Sequence, residues 1–293
     1  GAAVTWREAV SAGLERGLHH PLRLLPSGAG SALGAWLGRR VVPGLHPVAT
    51  ARARAALARL RPDLDTEAAL AEAWANIAAS FAEMPRILRF WEEGRVAVAG
   101  EAHLLAAHRQ CRPVICAGLH TANPEVLGLT LARLGARPVG IAIRQPTAFR
   151  ERVITDIRTR GGGRMIAAGR DAMRPALSLL RGGSGETLLF WMDEHVGGTV
   201  RGPSLGRGAL PRNGNMALAA RLARLSGAAV VPGYVTRLPG QRARFLTTFL
   251  PPVAWPERED RLGDAAAIDA VVDPVIRALL PQWLHLIAMP AEE

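Results

Sequence analysis

Short β-rich segments alternate with helical ones after Gly94, and this alternation constrains the fold more than any other feature of the chain. Strands that are each followed by a helix form a single sheet with helices on its faces. We therefore predict an α/β fold with one mixed, mostly parallel sheet of about seven strands flanked by helices. The predicted strands are 96–99, 113–119, 138–144, 164–167, 187–193, 229–237 and 244–250.

The last two predicted strands are joined by Leu238-Pro239-Gly240-Gln241. Proline and glycine in adjacent positions are typical of a tight turn. The segment therefore predicts a hairpin, with an antiparallel strand at the edge of the sheet.

Residues 1–92 are predicted to form a helical N-terminal region, and residues 93–293 the α/β core, together in one compact domain. Within the first region, Leu33, Trp36 and Leu37 are followed by Arg39-Arg40. Apolar residues with a tryptophan and a basic flank are typical of a helix that lies in a membrane interface. Packing of the same residues on the core is the alternative, and the sequence leaves both readings open.

The chain carries a formal net charge of +11, and all 36 of its basic residues are arginine. Arginine suits phosphate and carboxylate partners because its planar fork can bind two oxygens at once. A basic surface indicates an anionic lipid, an acidic carrier protein or nucleic acid as partner. A high-GC genome that encodes arginine in place of lysine explains the composition as well. Binding of nucleic acid has no support beyond charge, because the sequence has no aromatic RNA-binding motif.

Two cysteines, Cys111 and Cys116, do not make a disulfide framework, which favours a reducing compartment. The longest uncharged stretch near the N-terminus, residues 24–38, is short and is interrupted by proline and glycine. A bilayer-spanning helix needs about 20 apolar residues. The sequence thus predicts peripheral or monotopic membrane contact.

A histidine follows the predicted strand 113–119, and a helix start comes directly after it. Asn123 can cap that helix, Pro124 suits its first position and Glu125 falls in its first turn. His120 and Glu125 can approach each other only through a tight turn between strand and helix, because neither a straight helix nor a single strand brings them together. We predict that His120 is a general base oriented by Glu125.

Two further predicted strands end in charged residues, Arg144 and Asp193. The carboxyl ends of parallel strands share one crevice, so these side chains are expected near His120. A base, a carboxylate and a cation for developing negative charge are suited to acyl transfer. No histidine or cysteine pair has the spacing of a zinc site, and the glycine-rich segments match no nucleotide-binding motif, so neither a metal nor a cofactor is expected.

The order of these blocks resembles the lysophospholipid acyltransferase superfamily, and within it the bacterial lipid A biosynthesis late acyltransferases of the lauroyl and myristoyl type. That family carries a histidine followed five residues later by Asp or Glu, matched by His120 and Glu125. An arginine after the next strand is matched by Arg144, and a strand that ends in aspartate by Asp193. A basic, glycine-containing loop (201–206) and a Val-Val-Pro strand (230–232) follow in the family's order.

The resemblance implies a glycerolipid acyltransferase-like fold and a membrane enzyme of lipopolysaccharide biosynthesis at the cytoplasmic face of the bacterial inner membrane. The donor would be an acyl thioester of acyl carrier protein or coenzyme A, and the acceptor a hydroxyl of a lipid A-like molecule. His120 would take the hydroxyl proton, and Arg144 or backbone N–H groups would stabilise the oxyanion. Residues assigned to substrate binding are Asn123, Asp193, Arg164, Arg201, Arg207 and Arg212.

Other functions share the same features. The acceptor could be a lysophospholipid, a glycolipid or an aminolipid, and water in place of the acceptor would make the protein a thioesterase. Pro124 stands where the family often has an aromatic residue, which bears on the acceptor more than on the chemistry. A basic membrane-binding module with a vestigial site is the alternative that is not an enzyme.

Overall fold

The computed structural model describes residues 17, 19–110, 112–141, 145, 147–167, 172–208, 210–240, 243–257 and 260–290. The strands are β1 (Val96–Ala99), β2 (Val114–Gly118), β3 (Pro138–Ile141), β4 (Arg164–Ile166), β5 (Thr187–Trp191), β6 (His195–Val196), β7 (Thr199–Val200), β8 (Ala229–Arg237) and β9 (Phe245–Phe249). The helices are α1 (Ser27–Arg40), α2 (Val42–Leu45), α3 (Pro47–Leu60), α4 (Thr66–Glu83), α5 (Arg89–Glu92), α6 (Glu101–Arg109), α7 (Glu125–Arg133), α8 (Ala148–Arg160), α9 (Met173–Arg181), α10 (Asn215–Ser226) and α11 (Arg261–Ala278). Short 3₁₀ segments occupy Met84–Arg86, Leu280–Gln282 and Leu284–Ala288.

Seven of the strands form one sheet in the order β1-β9-β8-β2-β5-β3-β4. Neighbouring strands are parallel except β8 and β9, which are antiparallel. The predicted mixed, mostly parallel sheet and its hairpin are therefore confirmed. The antiparallel strand β9 is not at the edge of the sheet as predicted, because β1 pairs with its outer side. Strand β2 is the central strand of the sheet. The residues that follow it therefore lie at the carboxyl ends of the parallel strands, in the middle of the sheet.

Helices cover both faces of the sheet, which explains why β2 is an unbroken apolar run rather than an alternating one. Every residue of β2 is buried. Ile115 and Ala117 pack into a core with α10 and α11, whereas Val114 and Cys116 pack into a second core with α6 and α7. Complete burial raises the pKa of the Cys116 thiol, so this cysteine is an apolar core residue and not a nucleophile.

Helix α1 packs closely against α4 through glycines. A Cβ atom at Gly34 would lie 2.7 Å from the Ala82 Cβ, and one at Gly38 would overlap the carbonyl oxygen of Trp74. On another face of α1, Leu33 and Trp36 are exposed. The glycine face of α1 therefore packs on the core side, whereas the membrane-interface reading of the exposed face stays a prediction.

The N-terminal helices are tied to the sheet by polar contacts. Arg237 of β8 donates hydrogen bonds to Glu83 and Asn76 of α4, and Glu83 is almost completely buried. The division of the chain at residue 92 stays a prediction, and residues 1–16 lie outside the described part. Among the described residues, no helix combines the length and the apolar character that a membrane span requires.

Candidate active site

His120 and Asp193 lie in contact at the carboxyl ends of the neighbouring strands β2 and β5. The last residues of these strands, Gly118 and Trp191, are partners in the parallel register. His120 and Asp193 each follow their strand by two residues, so the register itself brings them together. The Nδ1 atom of His120 lies 2.8 Å from Asp193 Oδ1, and the His120 backbone N–H donates to Asp193 Oδ2 at 2.7 Å.

Asp193 is buried and receives a further hydrogen bond from the indole nitrogen Nε1 of Trp283, at 2.8 Å. Burial by itself raises the pKa of this carboxyl group. The neighbouring His120 and the hydrogen bonds outweigh that effect, and the pKa of Asp193 is lowered from its ordinary value. A charged Asp193 accepts a hydrogen bond from the Nδ1–H group of His120. The other ring nitrogen, Nε2, is then the basic nitrogen.

Two other rings contact His120. Trp191 stacks on it with a centroid distance of 4.1 Å, and the Nε2 atom of His285 lies 3.2 Å from His120 Nδ1. Burial first, and then the neighbouring His120, lower the pKa of His285 to about 3, so His285 is neutral near neutral pH. His195, at the start of β6, stacks on His285 at 5.3 Å.

The segment after α11 supplies Trp283 and His285, and sequence analysis missed both. Trp283 forms an isolated β-bridge with Thr121, and the backbone N–H of Leu284 donates to the His120 carbonyl at 2.9 Å. A Trp-x-His pattern after the last helix is the only signal for these residues in the sequence. Neither residue lies at a strand end, so only the tertiary fold reveals their place in the site.

The turn between β2 and α7 is held by neighbouring elements. Ala122 has the left-handed backbone conformation, with φ of 48°, which a residue with a side chain seldom adopts. Its carbonyl accepts from the Ser80 hydroxyl at 2.7 Å, and its N–H donates to the Gln282 carbonyl at 2.8 Å. These contacts from α4 and from the C-terminal segment compensate for the strain of the turn.

The structure contradicts the predicted pairing of Glu125 with His120. Glu125 is buried and binds the Arg158 guanidinium through both carboxylate oxygens, at 2.7 and 2.9 Å. The turn at Ala122 directs the start of α7 towards α8, and Asp193 already occupies the Nδ1 side of His120. Asp193, predicted to bind substrate, is the carboxylate that contacts His120 in this structure.

Asn123 is also placed differently from the prediction. Its side chain is completely buried, its amide nitrogen donates to Glu83 at 2.9 Å, and its amide oxygen accepts from the Glu125 backbone N–H at 3.3 Å. Because no surface of Asn123 is exposed, this residue supports the turn and is not a substrate contact in this structure.

Two of the predicted substrate-binding arginines have structural partners. Arg164 is the first residue of β4, so it lies at the amino ends of the parallel strands, whereas His120 lies at their carboxyl ends. Arg164 pairs with Glu186. Arg207 donates to the backbone carbonyls of Val200, Pro203 and Ser204 and so holds its own loop together. Charge in the sequence does not show which oxygen atoms a guanidinium meets, and the assignment of both residues to substrate binding stays a prediction.

Of the two other predicted arginines, Arg201 has a contact next to the site. Arg201 follows the β6–β7 hairpin and lies 3.7 Å from the carboxylate of Glu194, the residue next to Asp193. Arg212 is exposed in the turn before α10. Arg144 lies outside the described residues, and its role at the oxyanion stays a prediction.

His120, Asp193 and His285 are the one group in the described part of the chain with the composition of a metal site. Their potential ligand atoms lie within 4.8 Å of one another. However, a direct hydrogen bond of 2.8 Å joins His120 Nδ1 to Asp193, and an ion between these atoms would have to break it. The geometry favours an acid–base group, and the expectation of a metal-free reaction stays a prediction.

An apolar groove with a volume of about 450 Å³ lies between α1, α4 and α8. Its lining includes Trp74 and Ile77 of α4, Phe149 of α8 and Ile287. Ile287 belongs to the same 3₁₀ segment as His285, so this segment lines the groove and also contacts His120.

A family model described as bacterial lipid A biosynthesis acyltransferase matches residues 13–288. A search among curated proteins gave no match. The matched range covers the sheet, the N-terminal helices that the structure describes and the C-terminal segment with Trp283 and His285. Enzymes of this family are membrane-associated. Membership of the family suggests that the acceptor of the acyl group is lipid A-like. The chain therefore belongs to the bacterial lipid A biosynthesis acyltransferase family and is an enzyme that transfers acyl groups.

Proposed function

We propose that this protein transfers a fatty acyl group from a thioester of acyl carrier protein or coenzyme A to a hydroxyl of a lipid A-like acceptor, with His120 as the general base. The observation that carries this proposal is the hydrogen bond of 2.8 Å between His120 and the buried Asp193. A hydroxyl is a poor nucleophile at neutral pH, so it needs a base at the moment of attack.

In the proposed reaction, Nε2 of His120 removes the acceptor's proton as its oxygen forms a bond to the thioester carbonyl carbon. Asp193 stabilises the imidazolium that results. The tetrahedral intermediate then collapses, the carbon–sulfur bond breaks, and the departing thiolate takes the proton from His120. Atoms and protons balance without an acyl-enzyme, and the reaction needs neither a metal nor a cofactor.

The neighbours of His120 support this role. Trp191 restricts the ring by stacking on one side, and Trp283 holds the Asp193 carboxylate through its indole N–H. The neutral His285 does not compete with His120 for the negative charge of Asp193. A positioned base of this kind contributes about 10²–10⁴-fold to a reaction rate.

The apolar groove is suited to the acyl chain. Ligand pockets typically have volumes of about 300–1,000 Å³ and predominantly apolar linings, and this groove has both properties. The groove reaches the 3₁₀ segment of His285, so a chain bound there would have its thioester end close to the base.

The proposal is tested with a radiolabelled acyl thioester, incubated with and without a bacterial lipid extract. We expect label to move to lipid only when the extract is present, and the His120→Ala variant to lose transfer at least about 10²-fold while its circular dichroism is unchanged. Release of free fatty acid without lipid would indicate a thioesterase instead. Normal transfer by His120→Ala would overturn the proposal.

A further inference from the structure

His285 has one ring nitrogen in contact with His120 and one that is open. Its Nε2 atom lies 3.2 Å from Nδ1 of His120, whereas its Nδ1 atom has no partner among the residues that the structure describes. In that part of the chain, the buried side-chain nitrogen and oxygen atoms without a partner belong to Arg52 and Trp74 alone. The Nδ1 atom of His285 is therefore not sealed inside the protein but is open to solvent.

The contacts of His120 determine which nitrogen of His285 carries the hydrogen. The Asp193 carboxylate lies 2.8 Å from His120 Nδ1, so this atom bears a hydrogen. Two N–H groups repel each other when they point at one another, so His285 Nε2 faces His120 Nδ1 with its lone pair. Burial and then the neighbouring His120 keep the pKa of His285 low, at about 3, so the ring is neutral and its single N–H group is at Nδ1.

The open nitrogens of the two rings have complementary properties. Nε2 of His120 is basic, and the His120 side chain is 23% exposed. Nδ1–H of His285 is a hydrogen-bond donor without a charge. The ring centroids are 4.7 Å apart, so a base and a donor lie side by side at the carboxyl ends of β2 and β5.

The segment that carries His285 also lines the apolar groove. Ile287, two residues further along the same 3₁₀ segment, is part of the lining. An acyl chain in the groove would have its thioester group beside this segment, an assignment that rests on the proposed function. The thioester carbonyl oxygen becomes negatively charged when the acceptor attacks, and a hydrogen-bond donor directed at this oxygen lowers the barrier.

We propose that His285 is a catalytic residue whose Nδ1–H group donates a hydrogen bond to the thioester carbonyl oxygen as it becomes an oxyanion. When the acceptor oxygen bonds to the carbonyl carbon, the electron pair of the carbon–oxygen double bond moves onto the carbonyl oxygen. The double bond re-forms when the carbon–sulfur bond breaks, and His285 keeps its proton throughout. A neutral imidazole can stabilise an oxyanion in this way, and it does not repel the imidazolium that forms at His120.

A matched pair of variants separates the two nitrogens of His285. The amide of asparagine can place an N–H group near the position of Nδ1, whereas the amide of glutamine reaches the position of Nε2. We expect His285→Gln to lower kcat by about 10²-fold with little change in KM, because the donor acts on the oxyanion and not on the ground state. His285→Asn should keep kcat within about tenfold of the original value.

The measurement is steady-state transfer from radiolabelled lauroyl thioesters of acyl carrier protein and of coenzyme A to a bacterial lipid extract. Each rate is corrected for the folded fraction by circular dichroism. His108 is the control, because its Nε2 atom also has a polar partner, Thr187 Oγ1 at 2.8 Å, but at the amino end of β5. His108→Asn and His108→Gln should both keep the original kcat.

The tautomer of His285 is measured separately, by ¹⁵N NMR of protein labelled in histidine. The signals that disappear in His285→Gln identify the residue, and we expect the hydrogen at Nδ1 near neutral pH. This measurement needs no substrate, so it stands even if His120→Ala transfers acyl groups normally and the proposed function fails.

Three results would overturn the proposal. A larger loss of kcat in His285→Asn than in His285→Gln would assign the effect to Nε2, and so to the position of His120. Equal losses in the two variants would assign it to packing of the ring. A hydrogen at Nε2 of His285 would remove the donor from the open side of the ring.

Discussion

Two carboxylates near the turn after β2 have different partners. Asp193 contacts the His120 ring that we propose as the base, and Glu125 contacts Arg158 on α8. Both carboxylates are buried, so the loss of either one leaves its partner without that polar contact. Substitution of the two residues should therefore have separate effects, one on the reaction and the other on the folded state.

We expect Asp193→Asn to lower kcat by about 10²-fold or more with a smaller effect on KM. The amide has no charge to stabilise the imidazolium, and its NH₂ group does not accept from His120 Nδ1. The measurement is a steady-state assay of acyl transfer, corrected for the fraction of folded protein.

Glu125→Gln provides the contrasting variant. It leaves Arg158 partly buried without a carboxylate, which should lower the free energy of unfolding by about 3–5 kcal/mol. The activity of each folded molecule should change little, and Glu125→Met/Arg158→Leu should recover part of the stability. If kcat fell as much in Glu125→Gln as in Asp193→Asn, Glu125 would have a role in the reaction itself.

Among the elements, α1 and α4 show how small residues determine a helix contact. Gly34 and Gly38 let the two backbones approach, and the polar face of α4 then supports the turn at Ala122 through Ser80. Helix α4 therefore connects the outer helix α1 to the loop that carries His120.

A matched pair of glycine variants tests this contact. Gly38→Ala should destabilise the protein by about 1–3 kcal/mol, since the new methyl group overlaps the Trp74 carbonyl oxygen. Gly44→Ala, in α2, meets no atom within 4 Å, and alanine is a better helix former by about 0.5–1 kcal/mol. Chemical denaturation should show opposite signs, and equal effects would exclude close packing as the cause.

On the scale of the whole molecule, buried titratable groups link stability to pH. The pKa of His285 is lowered to about 3, so the folded state binds fewer protons than the unfolded state below the ordinary histidine value of about 6.5. Stability therefore falls as pH decreases from that value. The lowered pKa of Asp193 acts in the same direction, but only below its ordinary value near 4.

We expect the free energy of unfolding to decrease by up to about 1.4 kcal/mol per pH unit for His285 between pH 6 and pH 4. The His285→Gln variant should show a shallower slope in denaturation curves measured across this range. An identical slope in His285→Gln would show that other groups control the acid sensitivity.

Much of the architecture could be predicted because it depends on local patterns. The alternation of apolar runs and helices specified seven strands, and the Pro-Gly turn specified the antiparallel hairpin of β8 and β9. The position of His120 at a strand end followed from the same pattern, since the carboxyl ends of parallel strands meet at one edge. The family resemblance rested on these ordered blocks, and the match over residues 13–288 confirms it.

The partners of these residues could not be predicted in the same way. Whether Glu125 or Asp193 binds His120 depends on the direction in which the turn at Ala122 leads the chain, and α4 and the C-terminal segment hold that turn. Trp283 and His285 join the site from the end of the chain, and Arg164 and Arg207 bind oxygen atoms that no local pattern identifies. The sequence by itself determined the sheet, the strand end that carries His120 and the family, because periodicity and turn chemistry are local. The tertiary structure alone decided which carboxylate orients His120 and which side chains surround it, because those contacts join residues that are distant along the chain.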